Sequence, residues 1–387
     1  MKVLLLTDYA LSWDEAPPSR LLCLSREIAR DNHTVRVAGS RPKEVPQVAG
    51  VEVVPIPHRA DGGLKQALFP LRKEVRDQVR WCDTVIVRGY WIGFWAFWYA
   101  LVFGGKRRIY DFHGMNARQQ WLDRRWLRSL STWVIEQIIL TLATDVIAVT
   151  RVFREQLSRR RFIRRSVLLE NGVDAENFES CVTVPDGSHA VRRRLRIGSE
   201  RPVFVVVAHF VGSWFEPEVV VRAAALLRDD IELLLVGDGR GLDAARNEQQ
   251  RLGLANVHFT GTLPHRAVRE LLTQLAYACI CPYNASWPPA RQPGFFVARK
   301  VKEYLAAGKP VLCSDVPGRE AFLQDGDACL LYRAGDSEDL ARRMKELVGR
   351  PELARRLGAR GRELVQGFSW GALYRSSGLS TLLQPPA

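Results

Sequence analysis

Thirteen short runs rich in valine, isoleucine and leucine, separated by longer amphipathic segments, limit the fold of this chain more than any other feature. The first series reads VLLLTD, VRVAG, VEVVPI, TVIVRG, RRIYDF, DVIAVT and SVLLEN; a second starts at Val203 with VFVVVA and continues through ELLLVG, VHFTG, YACICPY, PVLCS and ACLLYR. Unbroken apolar runs suit strands buried on both faces, the pattern of a parallel sheet covered by helices on each side. At 387 residues the chain is long enough for two such units. Between the series, Cys181 to Pro202 loses apolar periodicity and gains Pro, Gly, Ser and Arg, which suits a connection. The expectation is α/β: two doubly wound Rossmann-like domains facing across a cleft, at 1–180 and 201–365, joined by a linker at 181–200. Ligands in such sheets sit at the carboxyl ends of the strands.

The formal charge is +14, which favours a polyanionic partner: nucleic acid, an acidic membrane surface or a phosphorylated small molecule. Seven scattered cysteines without CxxC spacing read as reduced core residues of a cytosolic protein. MKVLLLTDYA, with its apolar stretch broken by Asp8, reads as a first strand and not as a signal peptide. YWIGFWAFWYALVFG, Tyr90 to Gly104, is shorter than the roughly 20 residues that cross a bilayer and suits a buried or interfacial helix.

In ARKVKEYLAAGKPV, Lys300 and Glu303 are three apart and share one helix face. A helix starting near Gly294 to Val297 would aim its free amides and positive dipole end at a diphosphate. Glu303, one to two turns on, would offer two acceptor oxygens to a ribose diol. Spacing alone leaves a second reading open, a solvated charge paired with Lys300 or Lys302. His113, directly after RRIYDF, and Asp8 with Tyr9, at the end of the first run, are placed at strand ends where ligands bind. Gly237 lies in LLVGDGRG, which resembles a phosphate loop but has neither GxGxxG order nor GxxxxGK[ST]. No acidic or histidine cluster suggests a metal site.

The fragments PPSRLLCLSREIARDNHTVRVAG, DVIAVT with VLLENGVDAENF, LLLVGDGR, VHFTGTLPHRAVRELL, KVKEYLAAGKPVLCSDVPGREAFLQDGDACLLY and FSWGALY occur in that order. Over nearly its whole length the chain resembles the retaining glycosyltransferases of family 4, which have the GT-B architecture. The resemblance implies transfer of a sugar from a UDP-, GDP- or dTDP-sugar to a sugar, lipid-linked or small-molecule acceptor, with retained configuration and neither metal nor other cofactor. It implies that Glu303 binds the ribose and that His113 lies near the transferred sugar. Asn171 would belong to the turn leading to the second domain, and the segment 366–387 would return to the first. The departures are Phe295, where many members have a glutamate that binds the donor sugar, and His209, near an expected arginine whose lysine companion is missing. APPS, Ala16 to Ser19, replaces a glycine pair. Arg299, Lys300, His209 and the helix amides remain to neutralise the diphosphate.

From Lys106 to Arg165, arginines interleave with tryptophans. This pattern suits a helix on an anionic bilayer surface, and equally an Arg-rich solvated face over core tryptophans. No recognition motif supports nucleic acid. The overall expectation is a cytoplasmic transferase, either free or peripheral on the inner face of a membrane. Its rivals are a sugar-nucleotide-binding protein without turnover and a basic membrane-surface scaffold.

Overall fold

The computed structural model describes residues 1–387 except 14–15, 43, 57–70, 115, 123, 176–177, 179–186, 199, 211–213, 292–298, 320–321 and 385–387. The chain forms two compact units, residues 1–171 with 370–387, and residues 172–369.

The first unit is built from β1 (Lys2–Ala10), α1 (Ala16–Arg30), β2 (Thr34–Ser40), β3 (Val51–Ile56), α2 (Leu71–Trp81), β4 (Thr84–Arg88), α3 (Trp91–Val102) and β5 (Arg107–Phe112). It continues with α4 (Asn116–Leu122), α5 (Trp126–Leu142), β6 (Asp145–Ala148), α6 (Arg151–Ser158) and β7 (Arg165–Leu168). Its sheet has seven strands in the order β3-β2-β1-β4-β5-β6-β7, all pairs parallel. The order reverses between β1 and β4, so their carboxyl ends open a crevice there. Residues 3–6 of β1 are fully buried, as a central strand covered on both faces requires. The edge strand β3 is only half-buried and tolerates Pro55, which a central ladder would not.

The second unit contains α7 (Ser188–Arg194), β8 (Val203–Val207), α8 (Pro217–Ala225), β9 (Glu232–Val236), α9 (Leu242–Leu252), β10 (Val257–Gly261) and α10 (His265–Glu270). Then come β11 (Ala278–Cys281), α11 (Arg299–Ala306), β12 (Val311–Ser314), β13 (Cys329–Tyr332), α12 (Ser337–Gly349) and α13 (Pro351–Gln366). Six parallel strands run in the order β10-β9-β8-β11-β12-β13, with the reversal between β8 and β11. Alternation along β8 divides two cores: Val203, Val205 and Val207 enter one, Phe204 and Val206 the other. The cysteines of β11, β12 and β13 are buried and free, and burial pushes the Cys281 thiol up to about 12, so they act as small apolar residues. Cys181 lies outside the described residues.

The last helices, α14 (Trp370–Ser376) and α15 (Leu379–Leu383), belong to the first unit. There Tyr374 donates its hydroxyl hydrogen to Asp31 Oδ2 at 2.9 Å, beside the end of α1. The units part at Asn171/Gly172 and Ser369/Trp370, whereas the sequence reading put the connection at 181–200 and the return at 366. The polar, Arg-rich stretch misleads because α7 lies within it. Val191 and Ile197 enter the second unit's core, and the Glu270 carboxylate takes hydrogen bonds from the Ser188 amide and hydroxyl, at 3.1 and 2.9 Å. At the true crossing, Val173 pairs with Ser369 and its amide donates to Phe368 O at 3.0 Å.

Candidate functional site

In the second unit the site begins with Tyr304. Its hydroxyl accepts from the Val207 amide at 2.8 Å and lies 3.2 Å from the Val207 carbonyl, so α11 is pinned to the last residue of β8, beside the strand reversal. One residue earlier, Glu303 is 4% exposed. Lys300 Nζ lies 2.9 Å from its Oε2; Arg299 Nε lies 3.2 Å and His265 Nε2 3.6 Å from its Oε1. Burial by itself would raise the Glu303 carboxyl. Lys300, His265 and Arg299 outweigh it and hold the group well below the usual carboxylate range. The reading as a solvated charge therefore fails on burial, although the pairing with Lys300 is real. Lys302 is buried elsewhere, its ammonium 4.0 Å from the Phe368 ring centre. Lys300 and Arg299 donate to two of a carboxylate's roughly four acceptor positions, and His265 at 3.6 Å is beyond hydrogen-bond distance, so Glu303 keeps two for a diol.

The loops after β8 and β9 are locked together. Phe210 N donates to Asp238 O at 2.8 Å and Ala208 N to Val236 O at 3.0 Å. Gly237 has φ +126°, and a Cβ there would lie 1.9 Å from Ala208 O, so only glycine fits so close to the β8 loop. His209 is exposed and its Nδ1 lies 3.1 Å from Asp238 Oδ1. Gly294 and Phe295, with the expected helix start at Gly294 to Val297, lie outside the described residues.

In the first unit, Arg20 of α1 is 1% exposed and gives two parallel bonds to Asp111 at the end of β5, both 3.1 Å. It also donates to the carbonyls of Leu169 and Glu170, each at 2.8 Å, and to Asn171 Oδ1 at 3.3 Å. Arg88, the last residue of β4, reaches Asp111 Oδ2 at 3.3 Å and touches His113 Nε2. The same Nε2 lies 3.3 Å from Asp111 Oδ2, so the ring sits between a guanidinium and a carboxylate. Burial and the Arg88 charge lower the His113 imidazole to about 3 against the pull of Asp111, which keeps it neutral at physiological pH. Asp111 would be raised by burial, but Arg20, His113 and Arg88 together keep it ionised.

Asp8 closes the crevice from beneath. Its oxygens accept from the Tyr90 amide at 2.8 Å and the Ile92 amide at 3.1 Å, capping α3. Gly89, φ +144°, is required because a Cβ would lie 2.2 Å from Asp8 Oδ2. Burial lifts the Asp8 carboxyl to about 6 despite these two bonds. Tyr9, next to it, is exposed.

Glu136 of α5 is buried with Tyr90 Oη 3.4 Å away, and burial raises it from 4.5 to about 7, against Tyr90 and Arg160. A folded-state value above the unfolded one means that the fold keeps a proton the unfolded chain releases. The group's contribution is therefore whole below about 4.5 and fades as pH climbs to about 7. Glu136→Gln should flatten that window and be more stable than wild type at pH 8 by about 2–3 kcal/mol, read from urea unfolding at a series of pH values. Equal stability of the two proteins at pH 8 would contradict this.

Two family models cover the chain: Glycosyltransferase Family 4 matches residues 19–177, and Glycosyl transferases group 1 matches residues 188–364. The chain belongs to glycosyltransferase family 4. Among relatives, the putative glycosyltransferase EpsD of Bacillus subtilis (strain 168) is 32% identical over 154 residues, 39% of this chain and 37% of that one. The D-inositol 3-phosphate glycosyltransferase of Nocardia farcinica is 30% identical over 197 residues, 48% of this chain and 41% of that one. The chain thus spans about two-fifths of the length of these curated relatives. The crystal structure of Anabaena Alr3699/HepE in complex with UDP-glucose shares the fold, with TM-score 0.73 and 16% identity over 99% of this chain and 100% of that one. The fold is GT-B.

In this family 4 chain, the structure brings Glu303, Lys300 and Arg299 together and adds His265, which sequence reasoning missed. It sets His113 and Asn171 on a common arginine network with Arg20, Asp111 and Arg88, also missed. The rule that singled out His113, a polar residue at a strand's carboxyl end, applies equally to Arg88 at the end of TVIVR. Nothing local in the sequence marks Arg20, because its partners lie more than 90 residues away. Asp8 serves as a helix cap within the first unit. Among the described residues no three His, Cys, Asp or Glu side chains group as a metal site.

Proposed function

We propose that this chain is a retaining glycosyltransferase whose donor is a nucleoside diphosphate sugar. The observation that carries the proposal is the Glu303 carboxylate, buried yet held ionised by Lys300 and Arg299 in a helix pinned to the β8 end. A permanently charged acceptor of this kind suits the two hydroxyls of a ribose, and family membership supports the same use. The UDP-glucose held by Anabaena HepE supports a nucleoside diphosphate sugar as the donor class, with UDP-, GDP- and dTDP-sugars as the candidates.

Transfer builds negative charge on the departing diphosphate, so fixed positive groups beside it should supply most of the rate. Lys300 fits this role because an ammonium has three donors and Glu303 takes one. Arg299 adds a second charge, and exposed His209 a ring nitrogen that can hydrogen-bond the phosphates. His113, held neutral, would hydrogen-bond the acceptor or the sugar without exchanging a proton near neutral pH. No bound metal or other cofactor enters this scheme.

The test is release of nucleoside diphosphate from UDP-, GDP- and dTDP-hexoses with a panel of sugar and polyprenyl-phosphate-sugar acceptors, and proton NMR of the product's anomeric coupling. One donor should be consumed and the product should keep that donor's anomeric configuration. Inversion would overturn retention; no release from any donor, with the protein folded, would overturn the transferase reading.

A further inference from the structure

A second functional surface lies on the outer helices of the first unit, away from the strand-end network. Helix α5 is apolar on two opposite faces. One face packs inward: Ile135, Ile139 and Leu140 are buried, Ser129 bonds the Ala117 carbonyl of α4 at 2.6 Å, and Ile139 approaches Gly93 of α3. The other face carries Trp126, Leu127, Leu130, Trp133, Val134 and Ile138, all exposed, with Leu127 at 87% and Trp133 at 53%. These positions recur at helical spacing, so they form one stripe where a surface helix ordinarily carries charges. Trp98, Leu101 and Val102 are also exposed, at the end of α3, and the Trp121 ring stands 6.2 Å from Trp126. A water-facing apolar area this large signals an interaction surface.

The charge around it identifies the partner. Residues 106–165 hold fourteen basic and five acidic residues, nine of the chain's +14 net charge in under a sixth of its length. Arg124, Arg125 and Arg128 are exposed at the start of α5. Arg160 reaches Gln137 at 2.6 Å, which brings the exposed turn of Arg159 to Phe162 beside the Ile138 end of the stripe. Among the described residues the exposed acidic side chain here is Glu155 alone. A second copy of the chain would set arginines against arginines with almost no carboxylates between them, which like-charge repulsion disfavours. Nucleic acid would satisfy the arginines, but it offers nothing to dehydrate Leu127, Leu130, Val134 and Ile138.

We infer that this face docks on the surface of an anionic phospholipid bilayer: the aliphatic stripe enters the acyl boundary, the tryptophans sit at headgroup level, and the arginines bind lipid phosphates. No helix among the described residues is long and apolar enough to cross a membrane, so the attachment is interfacial. The inference is independent of the donor site in the second unit.

The test is flotation with vesicles of phosphatidylcholine alone, or of phosphatidylcholine with about one-third phosphatidylglycerol. Wild type should float only with the anionic vesicles, lose this in high salt, and show blue-shifted tryptophan emission when bound. Arg124→Glu/Arg125→Glu/Arg128→Glu should weaken partitioning at least about a hundredfold, since each arginine near the surface is worth roughly fivefold. Leu127→Ser/Leu130→Ser/Val134→Ser should also fail to float. Both variants alter exposed positions and should melt with wild type. Equal flotation with neutral vesicles, no flotation, or unchanged binding by both variants would overturn the inference. So would a lipid-free dimer dissociated by the serine variant, or an oligonucleotide complex that the serine variant leaves intact.

Discussion

Lys300→Ala should lower kcat for the identified donor by about a hundredfold to a thousandfold, with a smaller effect on KM, because removing one preorganised donor to a developing anion costs that much. The prediction rests on placement. Lys300 Nζ is fixed 2.9 Å from Glu303 Oε2, so its remaining hydrogens have a defined direction and need no reorganisation as charge develops. Family members commonly use an arginine and a lysine after the first strand of this unit; here that loop supplies exposed His209, paired with Asp238. On the proposed reading, the burden shifts to Lys300 and Arg299. The lysine side chain is 29% exposed, so its loss should leave the fold intact, and Glu303 keeps Arg299 as a partner. Lys300→Arg should restore part of the rate by returning the charge without the compact ammonium. Turnover within twofold of wild type for the alanine variant would remove Lys300 from the mechanism.

The second large effect should be structural. Arg20→Ala should destabilise the first unit by about 3–5 kcal/mol, because it leaves Asp111 buried with its bidentate partner gone and frees the Leu169 and Glu170 carbonyls. For a unit of this size that corresponds to a fall in Tm of roughly 10 °C. Asp111→Ala in the same chain should recover part of the loss, since the uncompensated charge is then absent. The pair stabilises mainly by mutual dependence, and apolar replacement of both partners can be far milder than loss of one. A loss under about 1 kcal/mol for Arg20→Ala would mean that water or Arg88 satisfies Asp111 instead.

The sheets were legible because strands buried on both faces must be unbroken apolar runs. VFVVV and ELLLV can be little else, and even RSVL and VEVVPI, half-buried at the edge, kept the pattern. Helix α11 was legible from its spacing, and so was the proximity of Lys300 to Glu303. Three things were not. The arginine network depends on residues from α1, β4, β5 and the segment after β7, and no local spacing reports such distant convergence. The capping role of Asp8 was hidden because a cap on a following helix and a strand-end carboxylate have the same sequence signature. The unit boundary was misread because composition records solvent exposure, and α7 exposes Arg193 and Arg194 while burying Val191. Phe295, the residue whose chemistry departs most from the family pattern, lies outside the described residues.

The central claim is that Glu303 holds the nucleotide of a sugar donor. A thermal-shift panel of UDP, GDP, dTDP and ADP with their common sugar conjugates, run on wild type and on Glu303→Gln, tests it most directly. A ligand at about 100 times its Kd stabilises the folded state by roughly 2.7 kcal/mol, a readable change in Tm even for a chain of this size. One nucleotide family should raise the Tm of wild type, and the shift should be lost in Glu303→Gln, which keeps the side-chain shape and removes the charge. A shift of equal size in both proteins, or no shift with any nucleotide, would contradict it.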